Sequence, residues 1–128
     1  MYPYLLVALG GAIGSVLRYG TGVGVGRLWR DSFPLGTLLI NIVGSAVMGL
    51  FVGLMTRLLP TWQNEARLFF AVGVLGGFTT FSSFSLDAIT MIERGDMLPA
   101  ALYVVLSVAG GLFALWLALL VMRTGVGV

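Results

Sequence analysis

Apolar residues run along this chain in four long stretches, punctuated by short clusters of charged and turn-forming residues. The first stretch runs roughly from Tyr4 to Gly26 and ends at Arg27-Leu28-Trp29-Arg30-Asp31. The second runs roughly from Leu35 to Leu58, before Pro60-Thr61-Trp62-Gln63-Asn64-Glu65. The third runs roughly from Arg67 to Ile92 and closes at Glu93-Arg94-Gly95-Asp96; the fourth runs roughly from Leu98 to Met122. Each has the length of about 20 residues that a helix needs to cross a bilayer. Trp29, Trp62, Tyr2 and Tyr4 fall at stretch ends, where amphipathic rings favour the membrane interface. The pattern predicts an all-α membrane protein, one transmembrane domain over residues 1–128 with four transmembrane helices. No internal repeat is visible, and the loops are too short for a second domain. Met1 to Leu17 lacks a basic region before its apolar run, so it reads as the first span rather than a cleaved signal peptide.

Composition points the same way. Hydrophobic residues make up 59% of the 128 and charged residues 9%, against roughly 25% charged in an average soluble protein. A soluble domain of this size exposes too much surface to be so apolar. The bilayer is the fitting solvent. The net charge of +2 is spread thinly, with no basic stripe of the kind nucleic acid would require. Cysteine is absent, which excludes disulfides and thiolate metal sites. Histidine is absent too, which removes the usual relay for protons near neutral pH.

The basic residues are all arginines, and their distribution is even. If the spans alternate direction, Arg57, Arg67 and Arg123 fall on the side of the N-terminus, and Arg27, Arg30 and Arg94 on the other. An excess on the cytoplasmic side normally orients a membrane protein. Here three face three, with Arg18 inside the first span. The chain is therefore compatible with insertion in both orientations and antiparallel pairing of two copies, or with an orientation set by Arg18 or the N-terminal amine.

Small residues recur at four-residue spacing: Gly10 and Gly14; Ser45, Gly49 and Gly53; Ser107 and Gly111; Gly110 and Ala114. Such stripes let helix backbones approach closely in lipid. They predict a tight bundle, and four helices have so little interior that an oligomer is expected. Gly22-Val23-Gly24-Val25-Gly26 follows no strand and sits at the end of a span, so it is no nucleotide loop.

The third span is the unusual one. Gly76-Gly77-Phe78-Thr79-Thr80-Phe81-Ser82-Ser83-Phe84-Ser85 joins two glycines to a run of hydroxyl and β-branched residues, a poor helix. One reading is an intact helix whose Ser and Thr bond back to their own turn. The favoured reading is a broken third helix, which membranes tolerate where the backbone is buried in protein or lines an aqueous cavity. Freed carbonyls there can bind a cation, and freed amides can face an anion. Phe81 and Phe84 share a face if the helix resumes. Their positive ring edges could line an anion path, or the rings could simply pack. Asn41 is the sole amide side chain well inside a span; its NH2 offers two donors, for a site or for interhelical bonding. Arg18 lies within the first span and needs a partner or water; it could draw anions into a vestibule or snorkel to headgroups. Asp87 lies beyond the weak segment. Tyr103, Ser107 and Gly111 follow at four-residue spacing and could form a polar track or bond to a neighbouring helix. Enzyme chemistry lacks its parts: serines without a general base are not nucleophiles.

Three motifs in order resemble the Fluc/CrcB family of fluoride channels. Gly10-Gly11-Ala12-Ile13-Gly14-Ser15-Val16-Leu17-Arg18-Tyr19 resembles its first-helix signature. Gly36-Thr37-Leu38-Leu39-Ile40-Asn41-Ile42-Val43-Gly44-Ser45 resembles the second. Gly76 through Ser85 resembles the third, the most diagnostic. The resemblance covers essentially the whole chain. Departures are few: Ser15 and Ala46 where the family often has alanine and phenylalanine, Ser83 for threonine, Asp87 for glutamate. Gly111 carries no hydroxyl where members can have serine, so that end of the track lacks one.

The resemblance implies an antiparallel dual-topology homodimer in a bacterial inner membrane, with two pores exporting fluoride passively. It implies that Asn41 donates hydrogen bonds to fluoride, Phe81 and Phe84 present ring edges, and Tyr103 and Ser107 extend the track. The carbonyls of Gly76 and Thr79 would hold a central structural sodium ion at the dimer interface, with Arg18 near the vestibule. Two rival readings compete with it. A small dual-topology multidrug exporter needs a membrane carboxylate that the first span lacks. A non-transporting assembly subunit would use the small-residue stripes but leave a broken helix without purpose.

Overall fold

The structure, a computed structural model, describes residues 2–124. It is all helix, and four helical stretches are long and apolar enough to cross a membrane. Helix α1 is Tyr2–Leu28 and α2 is Leu35–Leu58. Helix α3 starts with Gln63–Ala66, continues through Arg67–Leu75 with the wider i→i+5 winding, and ends with Gly76–Phe78. Helix α4 is Phe81–Glu93 and α5 is Met97–Thr124. Nothing in the residue pattern dictates the wide winding of Arg67–Leu75.

Two turns separate the spans on short chain. Leu59 closes α2 in the left-handed region (φ 45°), donating its N–H to Met55 O at 2.9 Å, and Pro60 then prevents continuation. Gly95 takes φ 87° between α4 and α5, a conformation that costs glycine nothing.

The bundle is two parallel helix pairs. Helix α1 packs mainly on the Arg67–Leu75 stretch of α3, and α2 mainly on α5. Contacts advance together in both: Gly10 meets Gly73 and Gly14 meets Phe78, while Ile42 meets Gly110, Gly49 meets Leu115 and Gly53 meets Met122. The first pair is close enough for backbone contact. A Cβ on Gly73 would come within 2.9 Å of Gly10 Cα, and one on Gly77 within 2.7 Å of Gly11 O. Lipid offers no hydrophobic drive between helices, so this close packing is what holds them.

At one end, Leu38, Ala88, Met91, Ala100 and Tyr103 form a buried cluster joining α2, α4 and α5, with Phe33 and Phe84 against it. It anchors the half of the third span that follows Phe78. Most other large apolar side chains lie outward, the expected distribution for a chain whose surroundings are lipid tails or a second copy.

Candidate functional site

Between Phe78 and Phe81 the backbone leaves the helix. Thr79 (φ −82°, ψ 156°) and Thr80 (φ −150°, ψ 116°) are extended. Gly76 and Gly77 remain helical; the interruption falls just beyond them, at the two β-branched residues. Each exposed backbone group at this depth needs a partner, and several are supplied from other helices.

Asn41 on α2 makes a double bond pattern to Thr80. The Thr80 N–H donates to Asn41 Oδ1 at 2.8 Å, and Asn41 Nδ2 donates to Thr80 O at 3.1 Å. On the α1 side, Arg18 Nε–H donates to Gly77 O at 3.1 Å. Locally, the Thr79 hydroxyl donates to Leu75 O at 2.9 Å. The Thr80 hydroxyl caps α4, accepting from the Ser83 N–H at 3.2 Å, the usual service of a Thr at this position. Side chains from two other helices, α1 and α2, together with local hydroxyls, therefore define its shape. None of these bonds uses the carbonyls of Gly76 or Thr79.

Two clefts flank the interruption and share Thr80. The first, about 360 Å³, is lined by Asn41, Ser45, Thr79, Phe81, Phe84 and Ser107, among others. It gathers four of the five pore residues expected from the sequence. Phe81 is 78% exposed and its ring lies 5.7 Å from that of Phe84. The Ser107 hydroxyl is buried in the wall with no hydrogen-bond partner among the described residues. The second cleft, about 410 Å³, is lined by Arg18, Thr37, Ser83 and Asp87.

Tyr103 stands apart from the first cleft. It is fully buried, its ring 5.2 Å from Phe84 and 5.7 Å, edge-on, from Phe33. Its hydroxyl donates to Asp87 Oδ2 at 3.1 Å. Through Asp87 it reaches the second cleft, behind the Phe84 ring that faces the first. Sequence reading had no means of pairing Tyr103 with Asp87, which lie on different helices, or of finding the Asn41–Thr80 and Arg18–Gly77 contacts. Ser45 read only as a packing residue, although its i+4 spacing from Asn41 was a signal that both face one way.

Chemically, the arrangement sets an amide, hydroxyls and aromatic rings around the start of a helix, with no charged side chain lining the first cleft. The class is thus a multi-pass integral membrane protein with an interrupted span bordering a neutral, donor-bearing cleft. The chain belongs to the CrcB family: residues 5–119 match the family described as CrcB-like protein, Camphor Resistance (CrcB). It is similar to proteins named Fluoride-specific ion channel FluC. One from Mesorhizobium japonicum is 49% identical over 97% of this chain and 98% of its own length. One from Agrobacterium fabrum is 52% identical over 93% and 94%, and one from Rhizobium etli is 49% identical over 96% and 98%.

Proposed function

We propose that this protein is a fluoride-selective channel that lets fluoride leave the cell passively across a bacterial inner membrane. The observation that carries the reading is the first cleft, which brings Asn41, Phe81, Phe84 and Ser107 to the start of α4. Fluoride is small and tightly hydrated, so a pore must replace its water with donors. Asn41 spends one N–H on Thr80 O and has a second to offer. Ser107 offers a hydroxyl that has no partner among the described residues. The phenyl edges of Phe81 and Phe84 add weak positive potential, and the N-terminal end of α4 adds more. No fixed positive side chain lines the cleft, so an ion that enters can also leave.

The pore is completed by a second, antiparallel copy, giving two pores per dimer. This reading is supported by the equal arginine count at the two ends and by Phe81, which projects from a single chain at membrane depth. Gly76 is exposed on that same chain. Its carbonyl and that of Thr79 are hard oxygen donors left out of the local hydrogen bonds, a donor type suited to sodium. Two copies would bring both pairs to a central sodium ion, which would link the two interrupted helices and add positive potential.

The test is ion efflux from liposomes holding the purified protein, followed with a fluoride electrode, with chloride-loaded vesicles in parallel. Fast fluoride release without chloride release is expected. Chloride release at the same rate, or no release by folded protein, would overturn the reading.

A further inference from the structure

The first cleft contains a hydroxyl beyond the pore residues discussed above. Ser45 lies one turn after Asn41 on α2 and lines the same cleft, as does Ser107 on α5. Its stripe partners behave differently: Gly49 is pressed on Leu115 and Ala118, and Gly53 on Met122. Ser45 instead faces Gly111, one turn after Ser107. A Cβ placed on Gly111 would meet one atom of another helix within 4 Å, the Ser45 Oγ, at 3.4 Å. The Ser45 hydroxyl therefore occupies the space beside position 111, on the line that Asn41 and Ser107 begin.

Its donor is also unspent. Helical hydroxyls commonly bond back to the carbonyl four residues earlier, and Thr56, Thr79, Ser85 and Thr124 do so here. Neither Ser45 nor Ser107 makes such a bond among the described residues. Two uncommitted hydroxyls, from two helices, thus line one cleft.

We infer that Ser45 is a conduction residue: its hydroxyl pairs with that of Ser107 as a second donor to the dehydrated anion, supplying from α2 the group that Gly111 cannot supply from α5. The inference rests on the fluoride reading above. It assigns Ser45 to ion passage rather than to helix packing alone.

The experiment is fluoride efflux from liposomes with Ser45→Ala, Ser45→Cys, and Ser45→Ala combined with Gly111→Ser. Removing one hydrogen bond to a charged species should slow efflux about tenfold or more in Ser45→Ala. The added Gly111→Ser places a hydroxyl in the space that Ser45→Ala vacates and should restore efflux to within about threefold of the parent, a rescue that a purely structural role would not give. Ser45→Cys keeps the side-chain volume with a much weaker donor and should also be slow, so the test survives if Ser45→Ala does not fold. Parental rates in Ser45→Ala or Ser45→Cys would overturn the inference, as would slow Ser45→Ala that Gly111→Ser leaves slow. Failure of the parent protein itself to conduct fluoride would instead remove the channel reading.

Discussion

Asn41 holds Thr80 by both of its backbone groups, donating to the carbonyl and accepting from the N–H. The two residues are 39 apart in sequence, yet this pair determines where the third span can leave the helix. In Asn41→Ala both groups lose their partner at a part-buried site. At up to about 1–3 kcal/mol for each group left without a partner, the variant should unfold at distinctly lower temperature in detergent, and its fluoride efflux should fall by at least about tenfold. Asn41→Asp keeps the acceptor for Thr80 N–H but loses the donor to Thr80 O and adds negative charge beside the anion path. It should be more stable than Asn41→Ala but conduct no faster. Thermal unfolding and liposome efflux on the same preparations check both halves.

Arg18 has a comparable role from the other side. Its Nε–H bonds to Gly77 O, one of the carbonyls that a helix end leaves without an internal partner. If the hydrogen bond is what matters, an uncharged donor should recover part of the loss. Arg18→Leu should be less stable than Arg18→Gln by about 1–2 kcal/mol. The difference should persist at high salt, because screening weakens attraction between separated charges but leaves a part-buried hydrogen bond largely in place. Chemical denaturation at low and high ionic strength measures it; equal stability of Leu and Gln variants would assign Arg18 to electrostatics alone.

The four spans were legible in the sequence because lipid leaves few ways to satisfy a backbone: an apolar run of sufficient length between charged loops is a helix. The weak segment from Gly76 to Ser85 was legible from its composition. The position of the extended residues was not. The glycines, the poorest helix formers in that run, stay helical because their lack of a Cβ serves another end: Gly77 lies against the backbone of Gly11 and Ser15. The extended pair is instead Thr79 and Thr80: Asn41 bonds Thr80 from 39 residues away, and Arg18 bonds the preceding Gly77 carbonyl from 59 residues away. Local propensity carries no record of such partners. The cleft's composition was readable residue by residue, since Asn41, Phe81, Phe84 and Ser107 are the polar or aromatic anomalies of apolar spans. The link from Tyr103 to Asp87 needed the fold.

That link should behave as a unit. Tyr103→Phe keeps the ring against Phe33 and Phe84 but leaves the Asp87 carboxylate without its donor. Asp87→Asn keeps an acceptor for the hydroxyl. The Tyr103→Phe loss should therefore be smaller in an Asp87→Asn background, with a coupling of about 0.5–3 kcal/mol between the two sites. A double-mutant cycle on unfolding free energy measures this, and additive losses would show that the contact contributes nothing. Tyr103→Leu should cost more than Tyr103→Phe, because it also removes the aromatic packing.

The glycines of α1 offer the sharpest contrast between sequence and structure. Gly10 and Gly14 share with Gly22, Gly24 and Gly26 the same helix and similar apolar company, yet their surroundings differ completely. A Cβ on Gly10 would run into the carbonyl of Phe69, and one on Gly14 into that of Val74; both are backbone atoms that no rotamer change can move. At Gly24 nothing lies within 4 Å. Gly10→Ala and Gly14→Ala must force α1 away from α3, and the interruption at Thr79–Thr80 would shift with it, because Arg18 rides on the same helix as these glycines. Each should lose folded protein in detergent and most fluoride efflux. Gly24→Ala should keep both and add helix propensity worth up to about 1 kcal/mol. Gly73→Ala, which meets the same crossing from α3 at 2.9 Å from Gly10 Cα, should match Gly10→Ala in severity. Size-exclusion profiles, unfolding temperature and efflux for the set separate the cases. Equal tolerance at positions 10 and 24 would mean that α1 and α3 do not meet along this seam, and the anchoring of the interruption through Arg18 would then lose its support.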